Sequence, residues 1–386
     1  MEKKLVCDRI AIVSRYFLPN TSVDSVSVYN MSRSLLSLTQ DVEIHIVTTV
    51  GTYKSKTDFQ DIDNNIFEKL NIHKVTPIAT SKNIILNFFF GIIDGIRLAH
   101  KVSRLNADKI IYLTNPPLIT MFFHLFFKLQ KLYYWSFDIY PDAFVADGLM
   151  TSENIFYRFL NFLTYKKHPA NIVALGESQF EYLTQKFGTN RINKIILPCG
   201  IHQNLELAKI PDWHTNEKII LGYIGNIGRA HHVDFVLNIM NAISQDEKFQ
   251  LVLSIYGHHS EKILDYAAKL KSNNIKIIDP LLQNQLKYID IHLVSLNETW
   301  TNISVPSKAV SAICSGRPLW FCGSPFSDTY QMFKNCCFYS DSTLESIKVV
   351  LNALNKTEIN IRSKKAQEEA HRLVKVEIEA YQKILK

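Results

Sequence analysis

The feature that most limits how this chain folds is an alternation, run through twice, between short apolar β-prone stretches and longer segments of helical period. Residues 9–14 (RIAIVS) read as a buried strand, followed by a turn over 17–22 that holds Pro19 and Asn20 and a helical pattern over 25–38. Strand-like runs recur at 41–49, 72–77, 109–113, 132–137 and 172–175, with helical periods at 87–105, 118–129 and on to Tyr182. Apolar strands separated by helices imply βαβ units and a parallel, doubly wound α/β sheet. The pattern restarts after Pro198-Cys199-Gly200, with strands expected at 218–224, 251–256, 275–278, 291–296 and 319–322. A boundary is therefore expected near 198–212, giving one domain over 1–198 and another over 199–365. The charged, amphipathic tail from Arg362 reads as helical, and 366–386 is expected to pack back on the first domain.

Length and composition agree with two such domains: 386 residues exceed one ordinary core, and 47% hydrophobic content excludes disorder. The six cysteines (Cys7, Cys199, Cys314, Cys322, Cys336, Cys337) show no CxxC pairing, so neither a disulfide framework nor structural zinc is expected. The opening is interrupted by Asp8, Arg9 and Arg15, unlike a secretory signal, and a cytoplasmic setting follows as the expectation. The apolar windows 84–93 and 117–127 fall short of the roughly 20 residues a spanning helix needs and are expected to be buried helices or strands. The net charge of +7 is uneven: residues 1–198 carry five more basic than acidic side chains, and 199–386 carry two more. No basic run resembles a nucleic-acid arm, so no nucleic-acid partner is expected. The basic first half, with exposed aromatics, suits weak peripheral contact with an anionic membrane face, the alternative being an ordinary solvated surface.

Ligands of doubly wound sheets bind at the carboxyl ends of the strands. In the second domain, Gly225-Asn226-Ile227-Gly228-Arg229 follows an apolar strand directly. Glycines there permit a tight turn and close backbone approach to a phosphate, and Arg229 adds a cation able to grip phosphate oxygens bidentately. Val305-Pro306-Ser307-Lys308, followed by Gly316-Arg317-Pro318, reads as a helix start that Ser307 caps, aiming backbone N–H groups and Lys308 at the same end of the sheet. Either loop alone is equally a capped helix with a solvated cation; the two together point to a diphosphate. In the first domain, Asp138 ends a strand and is a candidate to orient a sugar hydroxyl or accept its proton, whereas Asp142, after Pro141, reads as a helix cap. His231 and His232 follow Arg229, but adjacent helical residues point about 100° apart, so at most one is expected to face the ligand. No HExxH spacing occurs and no metal is expected.

At these residues the sequence resembles the retaining glycosyltransferases of the GT4 family, in the bacterial branch that builds O-antigen, capsule or exopolysaccharide. The segment 223–230 is similar to that branch's GN-x-GRA loop, and 305–308 with 316–318 looks like its PSK…GRP segment. Asn115-Pro116-Pro117, Asp138-Ile139-Tyr140-Pro141 and Pro198-Cys199-Gly200 resemble further landmarks in the same order. The resemblance implies the GT-B fold, two Rossmann-like domains facing a central cleft. It implies a nucleotide-diphosphate sugar in the second domain, with Arg229 and Lys308 neutralising the leaving diphosphate and Gly225, Asn226, Gly228 and Ser307 lining its pocket. It further implies a glycan or lipid-linked acceptor in the first domain, and neither metal nor cofactor. Two positions depart from the family. Ser311 stands where the second glutamate of a spaced pair grips the nucleotide ribose, and the first falls at Ile303, with Glu298 displaced nearby. The first-loop Gly-Gly is replaced by Asn20-Thr21-Ser22-Val23-Asp24, so hydroxyls of Thr21 and Ser22 become the candidates for that loop's ligand contact. A non-catalytic partner subunit, a sugar-nucleotide sensor and a nucleotide-sugar epimerase are the competing readings.

Overall fold

The computed structural model describes residues 8–20, 22–50, 63–78, 84–202 and 209–386, with 84, 85, 87 and 88 described by their backbone alone. Thr21 and Cys7 lie outside the described residues. The chain forms two compact units, Met1–Leu197 with Val376–Lys386, and Pro198–Lys375.

The first unit begins with β1 (Asp8–Val13), α1 (Val23–Leu38), β2 (Val42–Thr49), α2 (Asn64–Phe67) and β3 (Asn71–Val75). It continues through α3 (Ile84–Ser103), β4 (Lys109–Leu113), α4 (Ile119–Phe126), β5 (Leu132–Ser136), α5 (Asp142–Ala146), α6 (Ile155–Tyr165), β6 (Asn171–Ala174), α7 (Glu177–Phe187) and β7 (Asn193–Ile196). All seven strands are parallel, in the order β3-β2-β1-β4-β5-β6-β7. Both sheet faces are covered by helices, which is why Ile10, Ala11, Ile12 and Val13 of β1 are all buried without polar alternation.

The second unit runs β8 (Ile219–Asn226), α8 (Val233–Ile243), β9 (Phe249–Tyr256), α9 (Ser260–Leu270), β10 (Ile275–Ile277), β11 (Ile291–Ser295), α10 (Ser307–Cys314), β12 (Leu319–Cys322), α11 (Asp328–Phe333), β13 (Cys337–Tyr339) and α12 (Leu344–Ala353). The last helix, α13 (Lys356–Leu385), contributes residues from Val376 onward to the first unit. Its strand order is β10-β9-β8-β11-β12-β13, again all parallel. Alternate residues of β8 serve opposite faces. Leu221 and Tyr223 join a core with Phe235, Ile239 and Met240 of α8, while Ile220 packs with Val252 and Ile289. Burying each large apolar side chain contributes about 1.5–3 kcal/mol.

Some expectations need correction. Both apolar windows are helical but neither is wholly buried: Phe89, Ile93, Leu125 and Phe126 are exposed. The helix expected over 118–129 stops at Phe126 and gives way to a 3-10 turn at Leu129–Lys131, because the chain must re-enter the sheet as β5. Asp142 is not a cap. It begins α5, whose N-cap is Pro141, and its carboxylate accepts from the hydroxyls of Tyr157 (2.9 Å), Tyr165 (2.6 Å) and Tyr182 (2.7 Å) and from Lys186 Nζ (2.6 Å). A buried carboxylate at the start of α5, satisfied from α6 and α7, ties these three helices together. Ser307 is likewise not a cap: α10 begins on it, with Pro306 as N-cap and no side-chain cap bond.

Candidate functional site

In a parallel sheet of this order the strands on either side of the reversal carry their loops in opposite directions, leaving an opening at their carboxyl ends. In the second unit the reversal lies between β8 and β11, where the glycine-containing turn and α10 meet. Gly225 takes φ +101°, and a Cβ there would touch nothing within 4 Å. The left-handed backbone requires glycine, and the turn faces open space. Arg229 follows in that turn, its side chain exposed and without an ion pair among the described residues.

Lys308 sits in the first turn of α10. Its Nζ donates to the Asn226 carbonyl at 2.5 Å and the Tyr223 hydroxyl at 3.1 Å, and lies 4.3 Å from the centre of the Tyr223 ring. Burial pulls its ammonium down to about 7. The helix start beside it carries no side-chain cap, so backbone N–H groups at the positive end of the helix dipole remain available to an anion.

Backbone and side-chain bonds fix the turn. Ile227 N–H donates to the Tyr256 carbonyl at 2.8 Å, His259 N–H to the Ile227 carbonyl at 3.0 Å, and Asn297 Nδ2 to the Arg229 carbonyl at 2.8 Å. Gly257, at φ +106°, lets the β9 loop approach: a Cβ there would fall 2.0 Å from Asn226 Oδ1. His231 is held neutral, well below the usual imidazole range, first by burial and then by the Lys308 charge, and its Nδ1 donates to the Ser295 carbonyl at 2.6 Å. His232 contributes its backbone N–H to Ser295 Oγ at 3.1 Å. Gly225, Asn226, Gly228, Arg229, Ser307 and Lys308 are thus assembled at one end of one sheet. Ser311 lies a turn further along α10, and its hydroxyl donates to the Gly200 carbonyl at 3.0 Å. That bond engages the Ser311 proton in joining α10 to the chain that enters the unit.

In the first unit the reversal lies between β1 and β4. Asp24, in the first turn of α1, accepts from Asn115 Nδ2 at 3.1 Å. Burial pushes its carboxyl up to about 6, with the negative charge of Asp138 acting in the same direction. Burial together with the charges of Asp138, Asp147 and Asp24 also holds the Tyr140 phenol above its ordinary range. Asp24, Asn115, Asp138 and Tyr140 therefore form one electrostatic neighbourhood at the ends of β1, β4 and β5. Ser22 is buried as the N-cap of α1, its Oγ accepting from Ser25 N–H at 3.3 Å and sharing a 2.7 Å bond with Ser25 Oγ. No individual role was legible in the sequence for Tyr223 or Asn297, which hold Lys308 and the Arg229 turn. The first looks like any core aromatic, and the second is a lone Asn after a strand.

Two parallel sheets of seven and six strands, each in this wound order, are the GT-B fold of glycosyltransferases, and solved structures match it along nearly the whole chain. WaaG, a glycosyltransferase involved in lipopolysaccharide biosynthesis, aligns with a TM-score of 0.68 and 15% identity over 97% of this chain and 99% of its own. The sucrose-phosphate synthase of Thermosynechococcus elongatus aligns at 0.69 and 11% over 97% and 98%. HepE of Anabaena, solved with UDP and glucose, aligns at 0.62 and 12% over 98% and 99%. By sequence the chain is similar to the probable glycosyltransferase WbjE of Pseudomonas aeruginosa, 22% identical over 245 residues, which span 58% of this chain and 59% of that relative. No family model matches the chain.

Proposed function

We propose that this chain is a retaining glycosyltransferase that needs neither metal nor cofactor. It moves a sugar from a nucleotide-diphosphate sugar, held in the second unit, to a hydroxyl of a growing, lipid-linked surface glycan held at the first. It works as a peripheral protein on the cytoplasmic face of the plasma membrane. The observation that carries this reading is the gathering of Arg229, Lys308 and the uncapped start of α10 where the β8–β11 reversal opens. A diphosphate is the ligand whose charge this arrangement matches, and the WbjE and WaaG likenesses support a sugar donor and a surface-glycan product.

Transfer breaks the bond between the anomeric carbon and the diphosphate, and negative charge grows on the leaving oxygen. Fixed cations and aligned N–H dipoles act most strongly on charge of that kind. Arg229 and Lys308 take that role here, and the same leaving oxygen accepts the acceptor's proton as the new bond forms on the face it vacates. Asp138, with Asp24 beside it, orients the acceptor hydroxyl. A second reading, a sugar-nucleotide sensor without transfer, draws on Ser311, whose hydroxyl is committed to Gly200 rather than to a ribose.

The test is a thermal-shift screen against UDP, GDP, CDP and TDP and their sugar conjugates. A ligand at about 100 times its Kd adds roughly 2.7 kcal/mol, and a clear stabilisation by one base is expected. A well-folded sample that none of them stabilises overturns the donor assignment.

A further inference from the structure

The helix α6 is amphipathic in the wrong sense for a soluble protein. Tyr157, Leu160, Thr164 and Tyr165 face the interior, yet apart from Arg158 the exposed positions Ile155, Phe156, Phe159 and Phe162 are also apolar. Ile155 is 86% exposed, Phe159 56% and Phe162 57%, a stripe at i, i+4 and i+7 with Phe156 beside it. The stripe ends on Lys166, whose ammonium stands 5.4 Å from the centre of the Phe162 ring. The neighbouring helix α4 packs against α6 and finishes on Leu125 and Phe126, both exposed. Segments 119–137 and 154–176 contain Lys128, Lys131, Arg158, Lys166 and Lys167 and not one Asp or Glu. The charges along these segments are basic, with Asp138, Glu153 and Glu177 at their edges.

We propose that the outward face of α6 with the end of α4 is a docking surface for an anionic lipid bilayer, the aromatic side chains entering the interface while the basic ones meet the headgroups. Exposed apolar patches of this kind mark contact surfaces. Aromatic rings below a cation that reaches back to the polar layer are the arrangement found at membrane interfaces. A second copy of this chain is a poorer occupant, because a self-complementary contact would set this basic group against itself. Contact on this face would be peripheral: among the described residues no helix is long and apolar enough to cross a membrane. The inference deepens the proposed membrane setting and rests on it, but it does not depend on the donor chemistry.

The experiment is co-sedimentation of the full chain with phosphatidylcholine vesicles with and without phosphatidylglycerol, at low and high salt. Wild type should bind the anionic vesicles, and salt should weaken the binding. The pair Phe159→Ser with Phe162→Ser and the pair Lys166→Glu with Lys167→Glu should each lower it by about tenfold or more, with an unchanged melting transition. Should the aromatic pair fail to fold, the charge-reversal pair reads the same surface. The proposal is overturned if wild type ignores anionic vesicles or if a folded variant pair binds as wild type does. It also fails if the chain is a dimer that these substitutions split, which would give the face to a second copy. Nucleotide stabilisation is measured on the same samples, so loss of docking and loss of donor binding are read separately.

Discussion

Lys308 is an unusual cation for the proposed diphosphate site, because burial has already drawn its ammonium down to about 7. The free protein therefore holds a mixture of charged and neutral amine near neutrality, while a bound diphosphate favours the charged form. Binding consequently takes up a proton, and affinity for a nucleoside diphosphate should weaken as pH rises above about 7, by up to about tenfold per unit. Phosphate ionisation does not produce this trend, because its last step, at about pH 6, acts in the opposite sense. Titrations between about pH 7 and pH 9 in buffers of different ionisation enthalpy check both the slope and the proton. Lys308→Met should bind more weakly and show no slope. A wild-type affinity that is flat with pH would remove Lys308 from the diphosphate. Tyr223 matters here as the residue that places this amine, through its hydroxyl and its ring face together.

At the scale of elements, the site depends on how closely the β8 and β9 loops are joined. Gly257→Ala introduces a Cβ 2.0 Å from Asn226 Oδ1 on a backbone at φ +106°. The left-handed strain and the displaced Asn226 should together cost roughly 2 kcal/mol of stability. Because Asn226 carries the carbonyl that Lys308 bonds, nucleotide affinity should fall with it. An alanine variant that melts and binds like wild type would show that the loop contact is dispensable.

The β8 strand, the glycine turn after it and the start of α10 were legible in the sequence, because each is a local signal: an apolar run, a Gly pair, a Pro before a helix. The Asp142 cluster was not, since its partners lie 15, 23, 40 and 44 residues away. Nor was the bond from Ser311 to Gly200, which spans 111 residues. Helix α6 escaped a reading based on period because its outward face is apolar too, and β13 because it is only three residues long. Local chemistry announces strands and turns, though it misassigned Asp142 and Ser307 as caps, whereas the groups that hold a site in place belong to distant parts of the chain.

For the whole molecule, two wound sheets present two sets of loops of different character. The second unit's loops offer cations and helix N–H groups, suited to an anionic donor; the first unit's offer Asp24, Asn115, Asp138 and Tyr140, suited to hydroxyls. The fold is shared with WaaG, a sucrose-phosphate synthase and HepE at only 11–15% identity, so chemistry must be read from these loops rather than from the architecture. The most direct test is a calorimetric titration of wild type and Arg229→Ala with the nucleoside diphosphate that stabilises the chain most. Loss of a charge-assisted contact of about 1.5–3 kcal/mol predicts an affinity roughly tenfold to a hundredfold weaker in the variant. Equal affinity in the two proteins, both folded, would contradict the assignment of the diphosphate to the β8–α10 end of the second unit.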